Sequence, residues 1–331
     1  MTTRLPVLTN SQMRCFRRCQ REAELSYELG YRAASDAESL DFGTLVHAGL
    51  EHWWQAVQSG ADRLSAALEA MAYEADPFVL ARATEMMRGY EARWCDGPYE
   101  VIAVEKEFRA PLVNPDTNAP SRTWQLGGKL DVIVRDQRDG RVYKVEHKTS
   151  STDIGLGSTY WKRLTLDPQI STYYAGAREL GYDVAGCVYD VLGKPKLKPL
   201  KATPAADRKY TKAGALYATQ READETPEEY TLRVRAAILE SPDRYYQRGV
   251  VVRLESEERD AAFDRWQVSR MYRESQLSGQ WPRNPDSCER YGRMCDFFDV
   301  CTGTAALDDT TRFRHTDNVH EELTDDAAYA A

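Results

Sequence analysis

A predicted β-hairpin in the middle of the chain places the strongest constraint on its fold. Trp124–Arg135 and Arg141–Lys148 are rich in Val, Ile and Leu, as β-strands are. Asp139-Gly140 between them is a strong signal for a tight hairpin turn. Further strands are expected at Tyr99–Arg109 before the hairpin and at Val184–Leu192 after it. The pattern indicates a β-sheet in the central part of the chain.

Helical segments are expected on either side of this sheet along the chain. Phe42–Ser59 has apolar residues at helical spacing, and Ser11–Gly30 has helix-forming residues and ends at a glycine. Leu166–Leu180 and Ser256–Leu277 follow as further predicted helices, and Val250–Leu254 is a last short strand. Strands and helices in this order predict an α/β fold with a helical N-terminal region.

Composition and charge limit the classes of protein to which the chain can belong. Hydrophobic residues make up 42% of the 331 residues, which supports a sizeable core and argues against a disordered chain. The net charge of −8 argues against a basic nucleic-acid coat, although local clusters can still bind DNA. The sequence has no long apolar segment and no apolar signal segment at its start, so we expect a cytoplasmic protein without a membrane partner.

Asp131, Glu146 and Lys148 are the candidate catalytic residues of the hairpin. Alternate residues of a strand share a face, so Glu146 and Lys148 point the same way and His147 points to the opposite face. Two carboxylates can bind a hard divalent cation, which activates a water molecule and neutralises a phosphate. The lysine can hold that water or stabilise the charge on the phosphoryl oxygens. An ordinary cross-strand salt bridge is the alternative interpretation.

Asp131…Glu146-x-Lys148 resembles the motif of the PD-(D/E)XK nucleases, and the surrounding motifs resemble the RecB-like exonuclease branch. Gly43-Thr-Leu-Val-His47 is similar to the helical histidine motif that helps to bind metal in these enzymes. Gln169-Ile-Ser-Thr-Tyr173 is similar to the Q-x-x-x-Y motif that follows the lysine. The resemblance covers nearly the whole chain and implies a restriction-endonuclease-like core, with a mixed central sheet flanked by helices.

The same resemblance implies a role for each residue of these motifs. The implied ligands of Mg²⁺ or Mn²⁺ are His47, Asp131, Glu146 and, through its main-chain carbonyl, His147. The implied catalytic residues are Asp131, Glu146, Lys148, Gln169 and Tyr173, the last two ordering the lysine and contacting DNA. For His47 taken alone, a partly buried histidine bonded to Glu51 is the alternative.

Clustered cysteines near the two ends of the chain point to a bound metal more than to disulfides. The spacing Cys19…Cys288-x6-Cys295-x5-Cys301 resembles the 4Fe–4S site of AddB-like and CRISPR adaptation nucleases, and implies a C-terminal iron–sulfur cap. Cys15, one helical turn before Cys19, is the competing first ligand. A Zn²⁺ site with thiolate ligands and cysteines without any ligand are the alternatives.

A basic segment, residues 193–212, follows the last strand of the predicted core. It has a local excess of positive charge in an otherwise acidic chain, and it can follow a DNA backbone. The candidate DNA-binding residues are Lys194, Lys196, Lys198, Lys209 and Lys212. A solvated loop is the alternative interpretation.

By resemblance, we expect a metal-dependent DNA exonuclease that acts on DNA ends or single strands in recombination, repair or phage DNA metabolism. The sequence has no G-x-x-x-x-G-K-[ST] motif, so a helicase, recombinase or single-strand-binding protein would be a separate partner. A CRISPR-adaptation-type nuclease and a non-catalytic DNA-binding module are the alternatives. The expected regions are 1–98 (helical, with the first cluster cysteine and the metal-binding histidine), 99–192 (nuclease core), 193–280 (basic loop, helices and a strand completing the core), 281–315 (cysteine cap) and 316–331 (acidic flexible tail).

Overall fold

A computed structural model describes residues 5–34, 38–290 and 292–323 of the chain. Its strands are β1 (Val7–Thr9), β2 (Tyr31–Ala33), β3 (Tyr99–Val113), β4 (Pro120–Asp136), β5 (Val142–Ser150), β6 (Val184–Gly193), β7 (Tyr246–Val251), β8 (Glu289–Arg290), β9 (Arg293–Met294) and β10 (Phe313–His315). Its α-helices are α1 (Asn10–Arg18), α2 (Gln20–Ala23), α3 (Glu38–Ser59), α4 (Arg63–Met71), α5 (Pro77–Trp94), α6 (Thr159–Leu164), α7 (Pro168–Glu179), α8 (Pro227–Glu240), α9 (Pro242–Tyr245), α10 (Glu255–Ser278) and α11 (Phe298–Thr302).

The main sheet has six strands and is mixed, as expected. Strands β3, β4 and β5 are successive antiparallel neighbours, β6 lies parallel to β5, and β7 lies antiparallel to β6. The short β1 pairs in parallel with the first half of β4. The α/β fold with a mixed central sheet flanked by helices is therefore confirmed.

Two hydrophobic clusters cover the two faces of the sheet. One cluster joins the sheet to α1, α7 and α10, and includes Phe16, Ile170 and Tyr272. The other joins it to α3, α4, α5 and α8, and includes Trp53 and Val234. Burial of these apolar side chains from water stabilises a three-layer arrangement with the sheet in the middle.

The first predicted helix is interrupted at Cys19. The backbone of Cys19 is extended, with φ −157° and ψ 117°, so α1 ends before it and α2 begins after it. Just beyond the break, Arg21 N–H donates to the carbonyl of Pro282 at 3.2 Å. The segment has no glycine or proline at this point, so nothing in the local sequence predicts the interruption. The interruption accompanies a contact with the C-terminal part of the chain, and sequence periodicity cannot predict such a contact.

Two further differences concern short strands. The last strand of the main sheet runs over Tyr246–Val251 rather than Val250–Leu254, because Leu254 is the residue that precedes α10. The three-residue strands β1 and β2 were not expected. They are defined by pairing with distant segments rather than by their own composition.

The expected acidic tail begins with residues that pack against the protein. Leu323 is 1% exposed and His320 is also buried. The remaining residues of that tail, 324–331, lie outside the described residues. Among the helices that the structure describes, none combines the length and the apolar character needed to cross a membrane.

Candidate active site

A gap in the pairing along one edge of β4 creates the space for the site. On this edge β4 pairs with β1 up to Gly127 and with β5 from Val132 onward, while β3 follows the opposite edge. Asp131 lies in the gap, and its Oδ2 accepts a hydrogen bond of 2.8 Å from the main-chain N–H of His147. The carboxylate therefore takes the place of a backbone partner and fixes Asp131 against the Glu146-His147-Lys148 segment.

Glu146 is buried and bonded to two lysines of its own strand. Lys144 contacts its Oε2, and Lys148 donates to its Oε1. Lys144, Glu146 and Lys148 occupy every second position of β5, so their side chains share a face, as expected for Glu146 and Lys148. Lys144 was not expected in the site, although its position two residues before Glu146 was the available signal.

The Q-x-x-x-Y pair lies on the same side, on α7. Gln169 Nε2 donates to the Tyr173 hydroxyl at 2.6 Å, across one turn of the helix. The ring of Tyr173 lies beneath Lys144, with 3.9 Å from its centroid to the ammonium nitrogen. The lysine that Tyr173 contacts is thus Lys144, whereas Lys148 was the lysine expected from the motif.

His47 reaches the site from α3 on the other face of the sheet. Its ring centroid is 6.5 Å from that of His147. Gly43, one turn earlier, faces Thr149, and a β-carbon there would lie 3.4 Å from the Thr149 hydroxyl oxygen. The alternative contact with Glu51 is not among the described hydrogen bonds, in which Glu51 accepts from Gln55 at 3.0 Å.

The charges of the site follow from burial and from its cations. Burial lowers the pKa of His47 to about 4, although Asp131 opposes the shift, so the imidazole is neutral at pH 7. Burial alone would raise the pKa of Asp131, but its electrostatic interactions, with Lys144 first among them, outweigh burial and lower that pKa to about 2. The site therefore offers a neutral nitrogen donor and an ionised carboxylate.

Comparison with known proteins now identifies the family. A family model described as the PD-(D/E)XK nuclease superfamily matches residues 7–302, most of the chain. The chain belongs to the PD-(D/E)XK nuclease superfamily. Membership implies a metal-dependent nuclease with DNA as its substrate.

Two other comparisons add little to this assignment. Comparison with curated proteins gave no significant match. A solved structure titled "Crystal structure of SSO0001" has 15% sequence identity, covers 87% of this chain and 94% of its own, and has a TM-score of 0.31. A TM-score this low supports no functional inference.

The donor types fit the divalent ion that a PD-(D/E)XK nuclease requires, although their arrangement does not form a ready site. A neutral imidazole and ionised carboxylates are suitable ligands for Mg²⁺ or Mn²⁺. Within residues 5–34, 38–290 and 292–323, however, no group of three or more His, Cys, Asp or Glu side chains is placed to hold a metal. The carboxylate of Glu146 is directed to lysines instead.

Behind His147, on the α3 side of the sheet, lies a buried charged network that the sequence did not indicate. Asp190 of β6 is 0% exposed and lies 3.4 Å from His147 Nδ1. It accepts from Arg248 Nη2 at 2.9 Å and from the Tyr90 hydroxyl at 2.5 Å. Burial opposes ionisation of Asp190, but Arg248 and His147 outweigh it and hold its pKa well below the usual range.

Glu105 is a further acidic residue near the site, opposite Asp131 in the sheet. It has a positive φ of 49°, in the left-handed region that residues other than glycine adopt less often. Its carboxylate is 2.5 Å from Lys129 Nζ. Burial and the charge of Asp131 raise the pKa of Glu105. Its irregular backbone lies near a register shift of β3, which no residue pattern predicts.

The four cysteines expected to bind a cluster line one cavity of about 480 Å³ between α1 and the C-terminal segment: Cys19, Cys288, Cys295 and Cys301. The break in the helix at Cys19 leaves this residue at the cavity wall. Cys15 lines a different cavity, and burial raises its pKa to about 12. Cys19 and Cys15 therefore line different cavities, and only Cys19 shares one with the three C-terminal cysteines.

The basic segment lies in irregular structure beyond β6. Lys194 is near the active site, since a β-carbon on Gly43 would lie 3.8 Å from its Nζ. Its main-chain N–H donates to Ser150 O at 2.7 Å, where β5 ends. The other four lysines are exposed and belong to the loop that follows: Lys196, Lys198, Lys209 and Lys212.

Proposed function

We propose that this PD-(D/E)XK protein is a metal-dependent DNA exonuclease that acts on DNA ends or single strands. The observation that carries the proposal is the junction of β4 and β5, where Asp131 is fixed against Glu146-His147-Lys148 and His47 lies nearby. The exonuclease assignment itself rests on the likeness of the motifs to the RecB-like branch.

In the proposed reaction, the residues that would hold Mg²⁺ or Mn²⁺ are His47, Asp131, Glu146 and, through its main-chain carbonyl, His147. When bound, the ion would supply a more acidic water and neutralise charge on the phosphate. Lys148 is half-buried, so its ammonium can reach both the carboxylate and the solvent side, where it positions the attacking water. Gln169 and Tyr173 order the lysine face of β5 from α7.

The test is degradation of end-labelled single- and double-stranded DNA with Mn²⁺ by the wild type and by Lys148→Ala. We expect the wild type to degrade linear DNA and to leave covalently closed circles intact. Cleavage of closed circles contradicts the exonuclease assignment. Equal silence of wild type and variant on every substrate favours a DNA-binding module without activity.

We further propose that Cys19, Cys288, Cys295 and Cys301 hold a 4Fe–4S cluster that joins the two ends of the chain. The proposal is supported by their shared cavity and by the separate position of Cys15. Such a cluster would close a very long loop and thereby stabilise the N-terminal helices against the C-terminal segment. Iron and acid-labile sulfide in anaerobically purified protein support it, whereas stoichiometric zinc with no colour contradicts it.

The basic segment is proposed to guide the DNA strand away from the active site. Lys194 lies nearest the catalytic residues, and the exposed lysines continue outward along residues 196–212. Contacts between lysine and phosphate are sequence-independent and weaken with salt. Participation in recombination, repair or phage DNA metabolism, with a helicase or recombinase partner, is proposed from the family resemblance alone.

A further inference from the structure

Lys144 is a fully buried ammonium that no motif of the family resemblance includes. It is 1% exposed. The centroid of the Tyr173 ring lies 3.9 Å from its ammonium nitrogen, which also contacts Glu146. Cys187 is the residue of β6 that pairs with Lys144 of β5. The side chain of Lys144 is thus enclosed inside the candidate active site, against Glu146.

Lys144 differs from Lys148 in its freedom to leave Glu146. The side chain of Lys148 is 32% exposed, so it can turn toward solvent or substrate at little cost in solvation. The ammonium of Lys144 is enclosed, and the Tyr173 ring stabilises it through a cation–π contact. Lys144 is therefore the fixed partner of Glu146 and Lys148 the mobile one.

Two ammonium groups contact the same carboxylate. Lys144 contacts Oε2 of Glu146, and Lys148 contacts Oε1. A divalent ion entering this site must therefore share Glu146 with an ammonium that stays in place. This competition weakens binding of the ion in the absence of DNA phosphate.

We propose that Lys144 is a positioning residue that acts as the resident counter-cation of Glu146 and sets a high metal requirement for the DNA-free enzyme. This inference rests on the proposed function, because it assumes that Glu146 is a metal ligand. In this arrangement Gln169 donates a hydrogen bond to the Tyr173 hydroxyl, and the Tyr173 ring makes a cation–π contact with Lys144. Lys144 in turn contacts the carboxylate of Glu146. When DNA is bound, the negative charge of its phosphate supplies the additional attraction for the metal ion that the DNA-free site lacks.

The experiment measures Mn²⁺ binding to the full-length, DNA-free protein by electron paramagnetic resonance. The variants are Lys144→Gln, Lys144→Arg and Glu146→Gln, with Lys106→Gln as a matched loss of an exposed lysine on β3. We expect Lys144→Gln to bind Mn²⁺ about tenfold more tightly than the wild type, because a neighbouring positive charge is removed. Lys144→Arg and Lys106→Gln should bind like the wild type, and Glu146→Gln should bind more weakly.

The outcomes separate this inference from the proposed function. If Glu146→Gln weakens Mn²⁺ binding while Lys144→Gln leaves it unchanged or weakens it, the proposed role of Lys144 is wrong. The proposed metal site is then still supported. If Glu146→Gln has no effect on binding, the proposed metal site is wrong and the inference with it. A purely structural role for Lys144 would lower the melting temperature without tightening Mn²⁺ binding. Should Lys144→Gln not fold, Lys144→Met removes the same charge and carries the same expectation.

Discussion

Asp190 provides the clearest test of how the sheet is held behind the active site. In Asp190→Asn the carboxylate charge is removed while the shape is kept, so Arg248 is left as a buried cation without its counter-charge. Breaking a buried ion pair in this way costs about 3 to 5 kcal/mol. For a chain of 331 residues the entropy of unfolding is about 0.7 kcal/mol/K, so the melting temperature should fall by about 4 to 7 °C.

The assay is thermal unfolding followed by circular dichroism at pH 7, with Asp183→Asn as the control. Asp183 is exposed and lies just before β6, so its neutralisation should shift the melting temperature by less than about 1 °C. The double variant Asp190→Asn/Arg248→Met should be more stable than Asp190→Asn alone, because the uncompensated cation is gone. A shift of less than about 1.5 °C for Asp190→Asn would refute the reasoning.

The same residue gives a pH dependence with a definite sign. The folded-state pKa of Asp190 lies below its unfolded value, so its stabilising effect is fully present above about pH 4. That effect disappears as the pH falls from there through the folded pKa. The difference in melting temperature between wild type and Asp190→Asn should therefore shrink on acidification below about pH 4.

Three further expectations concern catalysis, the cysteine cavity and DNA binding. Lys148→Ala should lower the rate of DNA hydrolysis by about 10²-fold or more with its melting temperature nearly unchanged, and retained activity in a nuclease assay would contradict its role. Cys288→Ser should lack the iron content and visible absorbance of the wild type, and retention of both would exclude this residue as a ligand. Lys196→Gln combined with Lys198→Gln should make single-strand binding, measured by fluorescence anisotropy, less dependent on salt. The slope of log affinity against log salt concentration should fall by about 0.7 for each phosphate that is no longer neutralised, and an unchanged slope would place both lysines outside the DNA path.

The central hairpin was predictable because its information is local. The alternation of β5 alone places Glu146 and Lys148 on one face, and the Asp139-Gly140 turn returns the chain so that Asp131 lies nearby. The assignment of these residues to the PD-(D/E)XK nuclease superfamily is confirmed by the match over residues 7–302, whereas the RecB-like branch is still a prediction. The roles of the individual site residues are still predictions.

The features that sequence reasoning missed depend on interactions between distant segments. Asp190, Arg248 and Tyr90 come from β6, β7 and α5, and no spacing rule connects them. The extended backbone at Cys19 interrupts a segment that is rich in helix-forming residues and has no glycine or proline at this point. The position of Lys144 on the same face as Glu146 was predictable from the alternation of β5. Its burial was not, because a lysine on a strand is ordinarily expected to be exposed.

His147 joins the two halves of this architecture, because it is held by its backbone on one side and by its side chain on the other. Its main-chain N–H is fixed by Asp131 in the gap of β4, and its ring lies between the α3 residues and Asp190. Motion of β5 would therefore break a catalytic-site interaction and a core interaction together. Such double attachment keeps the Glu146 and Lys148 positions rigid without using either functional side chain, which leaves Lys148 free to respond to substrate.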